Sequence, residues 1–137
     1  MRGASKPTLV LGIPSLGMHS AFFTKNLMGM VWPTNFALQM RDVYGLEVGR
    51  ARNILVYEAK AIGAKYLMFW DEDVIAPAYG AKKLIYHLDN HPDWTAAAGV
   101  YATKSIPPEP LVYREWADGV YWGWKVGELI KVKATGM

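Results

Sequence analysis

Apolar residues recur along this chain in two rhythms. Thr8 to Ile13 (TLVLGI) is a short aliphatic and β-branched run closed by Pro14-Ser15-Leu16-Gly17, the pattern of a buried strand ending in a turn. From Gly17 to Val31, the residues Phe23, Leu27, Met30 and Val31 fall at helical spacing, and Pro33 stops the element. Phe36, Leu38 and Met40 alternate with Ala37, Gln39 and Arg41, which predicts a second strand. The clearest helix follows. Val48, Ala51, Leu55, Ala59 and Ile62 make one apolar face, Arg50, Asn53, Tyr57 and Lys60 another, and Gly63 stands where a left-handed C-terminal residue belongs. Tyr66 to Trp70 (YLMFW) is apolar without a break, so it reads as a strand buried on both faces. Pro77 opens a further helix with Ala81, Leu84, Ile85 and Leu88 on its apolar face, and Asn90-His91-Pro92 closes it. Thr95 to Tyr101 predicts a fourth strand.

Alternating strands and helices predict an α/β fold with a mostly parallel sheet flanked by helices. The grammar then changes. Pro107, Pro108 and Pro110 mark a loop, and Leu111 to Arg114 is a short strand candidate. Val120–Trp124 and Glu128–Lys133, separated by Lys125-Val126-Gly127, predict a C-terminal β-hairpin. No repeat or linker composition interrupts residues 1–137, so a single domain is expected.

Composition narrows the class. With 52% hydrophobic and 13% aromatic residues, the chain has the material for a core and is not disordered. The absence of Cys excludes a disulfide scaffold, a zinc ribbon and thiol catalysis. A formal charge of +3 without a polybasic run gives no footprint for nucleic acid. The uncharged stretch Thr8–Thr24 contains Gly12, Pro14 and Gly17, too broken for a membrane span, and Met1–Lys6 leads into no signal peptide. The expectation is a soluble, cytoplasmic protein without a transmembrane segment. Six Trp in so short a chain allow apolar surface that a second copy or a partner covers, which makes a homo-oligomer an expectation.

The strongest chemical signal is Asp71-Glu72-Asp73 at the end of the apolar run Tyr66–Trp70. Three adjacent acids repel one another, and nothing about a strand end requires them. In open α/β sheets ligands bind beyond the carboxyl ends of the strands, where carboxylates can hold a hard divalent cation. Positions 71 and 73 can point to one site while Glu72 points elsewhere. A solvated acidic turn is the plainer reading. Arg50, Arg52 and Asn53 cluster at the start of the long helix, where Arg opposes the helix dipole unless an anion or an acid partner compensates it. Pairing of Arg52 with Asp71 or Asp73 fits a ligand site and a structural site alike. The turn at Pro14 could line a nucleotide, but its glycine spacing is not that of a phosphate-cradling loop. His87 and His91 share helical spacing without an accompanying Glu motif, which favours a surface role over metal binding. Trp116, Trp122 and Trp124 could stack on a sugar, although core packing is the commoner use. Lys104 could reach a phosphate.

Ala51-Arg52-Asn53 on a helix, an apolar strand running into Asp71-Glu72-Asp73, and Gly99-Val100-Tyr101 before a Pro-rich loop together resemble glycosyltransferases of the GT-A fold. The likeness is to the inverting family-two group and spans roughly residues 8 to 137 in element order. It implies a Rossmann-like nucleotide-diphosphate-sugar fold and a metal-dependent transfer of sugar to an unidentified acceptor. Pro14, Arg52, Asn53, Asp71, Glu72 and Lys104 would then border the donor, and Asp71 and Asp73 would hold Mn²⁺ or Mg²⁺ at its diphosphate. Glu109, Glu115 and Asp118 are the acids in the region where such enzymes carry their base, and none sits in a matching motif. Ala134-Thr135-Gly136-Met137 resembles the start of an acceptor-side motif, which suggests a short or truncated member.

Two alternatives stand beside this. A strand ending in D-x-D also resembles haloacid-dehalogenase-like phosphatases, with Asp71 as nucleophile and Asp73 as acid and base, but here two strands precede it and Ile75 departs from the signature. A non-catalytic nucleotide-sugar binding module is the other.

Overall fold

The first strand, β1 (Thr8–Ser15), is buried along nearly its whole length, so both its faces must be covered. In the computed structural model, which describes residues 5–135, β1 is the centre of a three-stranded parallel sheet of order β2-β1-β3. Strand β2 is Ala37–Tyr44 and β3 is Tyr66–Phe69. Leu9, Leu11 and Ile13 serve one face, in clusters with Phe23 of helix α1 (Ala21–Met28) and with Ala81 and Ile85 of helix α3 (Gly80–Asn90). Gly12 serves the other face, beneath helix α2 (Val48–Ala61). A Cβ on Gly12 would lie 3.1 Å from Leu67 Cδ1 and 3.2 Å from Leu55 Cδ1, so the missing side chain makes room for the buried Leu55. The fold is α/β, with helices flanking the parallel sheet.

Local chemistry sets the boundaries. Helix α1 starts at Ala21, later than the apolar spacing predicts, because the Ser20 hydroxyl accepts the Phe23 N–H at 3.0 Å. Helix α2 ends as predicted. Gly63 takes φ +66°, and the Ala64 N–H donates back to the Ala59 carbonyl, closing a Schellman turn. Strand β1 continues through Pro14, which the sequence places in the turn. The Gly12 carbonyl accepts from Trp70, and alternate residues of a parallel strand face the same neighbour. The missing N–H of Pro14 therefore falls on the β3 side, beyond the last pair, Gly12 with Phe69. Strands β2 and β3 are edges, and their burial reflects it. Leu38 and Met40 of β2 are exposed, and β3 is half-buried where an apolar run predicts full burial. No helix among the described residues is long and apolar enough to cross a membrane.

The chain divides into two compact units, Met1–Trp94 and Thr95–Met137. The second carries little regular structure. Strand β4 (Val112–Tyr113) pairs antiparallel with β5 (Ala134–Thr135), beside a 3-10 turn at Trp116–Asp118 and a single bridge from Ala102 to Pro110. The predicted strand Thr95–Tyr101 does not form. Ala96, Ala97, Ala98 and Gly99 have little side chain to bury in a sheet. The predicted hairpin is also absent. Gly127 does turn the chain at φ +85°, and Glu128 N–H donates to the Lys125 carbonyl. The flanking segments, however, bond to β4: Tyr121 N–H to Val112 and Lys133 N–H to Tyr113. Met1–Ala4 and the Gly136-Met137 part of the acceptor-like motif lie outside the described residues.

Candidate functional site

The chain leaves β1 toward β2, then crosses back through α2 to β3 on the other side. Connections that part in this way open a crevice at the carboxyl ends of the two strands. Here that crevice is a cavity of about 370 Å³ lined by Pro14–Leu16 from β1, Leu46–Val48 from the start of α2 and Asp71–Asp73 from the end of β3. The triple-acid motif thus stands at the one place in the sheet where a ligand site is expected.

The three acids do different things. Both oxygens of Asp71 accept from Arg52 Nη2, at 3.0 and 2.8 Å, and the guanidinium lies over the Phe69 ring at 5.8 Å. This is the acid partner that Arg52 needs in the first turns of α2. Arg52 Nε is buried without a hydrogen-bond partner, and Arg52 itself stands behind Asp71 and is not part of the cavity wall. Glu72 turns inward to the end of β1. It accepts from the Ser15 hydroxyl at 2.6 Å and from the Leu16 N–H at 3.0 Å, with His19 Nε2 at 3.5 Å. Those hydrogen bonds, the Ser15 one first, hold its carboxyl below the ordinary 4.5. Ser15 in turn accepts from Gly17 N–H at 2.9 Å and lies 3.1 Å from His19. Asp73 is exposed at the cavity, close enough that its charge opposes the ionisation of Glu72. Asp71 is thus engaged by α2 and Glu72 by the β1 turn, and all three acids line the cavity.

The loop after β3 is braced from several sides. The Asn26 side chain of α1 accepts from Ala76 N–H at 2.7 Å and donates to the Ala76 carbonyl at 2.8 Å. Trp70 Nε1 donates to the Val74 carbonyl at 2.8 Å, and Val31 N–H to Ala78 at 2.7 Å. Across the cavity Glu47 caps α2, accepting from Gly49 and Arg50 N–H at 2.8 and 3.0 Å, which keeps its carboxyl below the ordinary range. Four carboxylates (Glu47, Asp71, Glu72 and Asp73) thus stand around the cavity, with the Arg52 guanidinium on one of them.

Of the other residues singled out in the sequence, Pro14 lines the cavity, whereas Asn53 is exposed on α2 and is not part of its wall. Lys104, Glu109, Glu115 and Asp118 belong to the second unit. Glu109 engages Thr103 through its backbone, and Glu115 lies 3.9 Å from Lys133 Nζ. Glu115 and Asp118 line a separate cavity of about 750 Å³ together with Arg114, Tyr121, Lys131 and Lys133. Ser15 lies in the turn that the sequence offers as a nucleotide wall, whereas sequence reasoning missed the roles of His19, Asn26 and Glu47. Glu47 carried a usable signal, an acid just before a helix. Asn26 carried none, because its partner is 50 residues away.

Comparison with protein-family models, with curated proteins and with solved structures finds no match for this chain. The functional reading therefore rests on the site itself.

Proposed function

We propose that the chain binds a nucleotide-diphosphate sugar together with Mn²⁺ or Mg²⁺ and is a glycosyltransferase of the GT-A type, akin to the inverting family-two group. The observation that carries this reading is the convergence of Asp71, Asp73 and Arg52 with the ends of β1 and β3 at the crevice of a parallel sheet.

The cavity's charge supports a metal requirement. A diphosphate alone is repelled by this many carboxylates, and a divalent cation reverses the sign of the local field. The residues fit an ion that is shared with its ligand. Asp73 offers hard oxygen donors, whereas Asp71, both of whose oxygens accept from Arg52, would have to be shared between the guanidinium and an ion. No group of three or more His, Asp or Glu among the described residues could hold an ion unaided. When bound there, the ion would stabilise the charge that grows on a leaving nucleoside diphosphate. Arg52 fixes the carboxylate of Asp71 at the cavity wall. Glu72 holds the Ser15–Gly17 turn against the cavity, so this wall is in place before a ligand arrives. An inverting transfer also needs a base for the acceptor hydroxyl, and none of the residues lining the cavity is assigned that role.

The phosphatase alternative is less well supported. Both Asp71 oxygens accept from Arg52, which lowers the nucleophilicity that such a reaction asks of this carboxylate.

A thermal-shift panel of UDP, GDP, ADP and CDP, each with and without Mn²⁺, tests the proposal. A ligand that binds only the folded state raises Tm, so at least one nucleotide should raise it when Mn²⁺ is present and fail to do so without it. No shift with any pair would refute the proposal. A shift without detectable transfer from the matching sugar donor would leave a binding module in place of an enzyme.

A further inference from the structure

Away from the cavity, strand β2 has an outer edge that the sheet leaves unpaired. At the two ends of its pairing with β1, the Ala37 N–H donates to the Pro7 carbonyl and the Gly45 N–H to the Ser15 carbonyl. Odd-numbered residues of β2 thus turn their backbone groups toward β1, and those of Leu38, Met40, Asp42 and Tyr44 point away from the sheet. Proteins ordinarily blunt such an edge with Pro, Lys, a bulge or a short strand. Strand β2 runs eight residues in unbroken register with β1 and contains neither Pro nor Lys. One acceptor is engaged from within: Arg41 Nη1 donates to the Met40 carbonyl at 3.1 Å, which leaves that oxygen a second lone pair.

The side chains of β2 are open on the same flank. Leu38 and Met40 share a face of the sheet with Leu9 and Leu11, their register partners on β1. Leu9 and Leu11 are buried, whereas Leu38, Met40 and Tyr44 are 40%, 52% and 66% exposed. The cover that buries β1 therefore stops short of β2, and an apolar stripe lies beside a row of backbone donors and acceptors. Another β-strand satisfies such a row.

We infer that β2 is the interface at which two copies of this chain pair, antiparallel about a two-fold axis, into a six-stranded sheet of order β3-β1-β2-β2-β1-β3. Outward backbone groups must face one another, so even residues oppose even ones and odd oppose odd. Charge and length then select the register. A centre at Arg41 or Asp42 sets like charges directly opposite each other, which is destabilising. A centre at Gln39 or Val43 shortens the pairing to Ala37–Arg41 or to Asp42–Tyr44. Centred on Met40, the strands pair from Ala37 to Val43. Met40 then meets its own copy, Leu38 meets Asp42, and Gln39 meets Arg41. Gln39 Oε1 already accepts from Arg41 Nη2 at 3.0 Å within the chain, so the two side chains are complementary, and they meet twice across the axis. This self-complementarity is what favours a second copy over a foreign strand. The pairing is independent of the glycosyltransferase reading.

Cross-linking of the full chain tests it. The chain has no Cys, so Met40→Cys introduces a single thiol. In the Met40-centred register the two copies of residue 40 are a hydrogen-bonded pair about 5.5 Å apart at Cα, within disulfide reach. Copies of residue 42 stand roughly 14 Å apart, out of reach. Mild oxidation should turn Met40→Cys into a disulfide-linked dimer and leave Asp42→Cys largely monomeric in denaturing electrophoresis. In sedimentation, the wild type should dimerise, and Met40→Lys, which sets two ammonium groups against each other, should raise the dissociation constant about tenfold or more. Mixing Met40→Lys with Met40→Glu should restore the dimer, which a misfolded variant could not do. A monomeric wild type, a dimer indifferent to Met40→Lys, or equal cross-linking at positions 40 and 42 would overturn the assignment.

Discussion

The two units of this chain hold their shape by different means. Among the described residues, every buried apolar side chain except Pro110 and Val112 lies in the first unit. There, β1 is covered on both faces, and Phe23, Leu55 and Ile85 reach it from three helices. The second unit has two short strands, a 3-10 turn and exposed Trp116 and Trp122. A chain segment of this size, without disulfides, has too little interior to be stabilised by hydrophobic burial alone. The difference bears on function as well as stability. The acids, the arginine and the strand ends of the candidate site all lie where burial fixes the backbone, and such sites are the better preorganised ones.

The largest effects should separate the units most clearly. Phe23→Ala empties a fully buried position and should cost about 3–5 kcal/mol in urea denaturation. Trp122→Ala removes a bigger side chain that is 60% exposed, and should cost less than about 1 kcal/mol. Equal losses would break the comparison. A smaller effect is expected from Asn26→Ala, which leaves both the N–H and the carbonyl of Ala76 without their partner. A loss of about 1–3 kcal/mol is expected, with weaker nucleotide binding because the loop after β3 loses a brace. A variant as stable as the wild type would show the loop to be held elsewhere.

The smallest effect is a pH dependence at the Lys65–Asp89 pair. Lys65 holds the Asp89 carboxyl below the ordinary 3.8, so this contribution is present above that value and is lost as the pH falls through the folded pKa. Asp89 in turn raises the Lys65 ammonium above 10.5, so its share is present below that pH and is lost as the pH rises through the folded pKa. The pair is partly exposed, and Asp89→Asn should cost no more than about 1 kcal/mol near neutral pH. Its stability should also fall less steeply than the wild type's below pH 3.8. Parallel acid limbs in the two proteins would remove the pair from the account.

The contrast between the units also explains what could be read in the sequence. The apolar runs at Thr8–Ile13 and Tyr66–Trp70, the stripe Ala51-Leu55-Ala59 and the αL glycine Gly63 are local signatures of burial and capping, and they predicted β1, β3 and α2. Asp71 and Arg52 were visible because an acid triplet and an arginine near a helix start are each unfavourable alone. The Asn26 brace was not, since its partner is set by packing. In the second unit alternation misled. Val120–Trp124 has the rhythm of a strand, but its Tyr121 N–H donates to Val112 of β4 and not to Glu128–Lys133. Where little is buried, a period carries little information about pairing.

The central claim is that the first unit holds a metal-dependent nucleotide site at Asp71–Asp73. Calorimetry of the nucleoside diphosphate selected by thermal shift, with Mn²⁺ present, tests it on wild type, Asp73→Ala and Asp118→Ala. Asp73→Ala should bind more weakly by about tenfold or more, while Asp118→Ala should bind as the wild type does. Unchanged affinity in Asp73→Ala, or a loss confined to Asp118→Ala, would contradict the assignment.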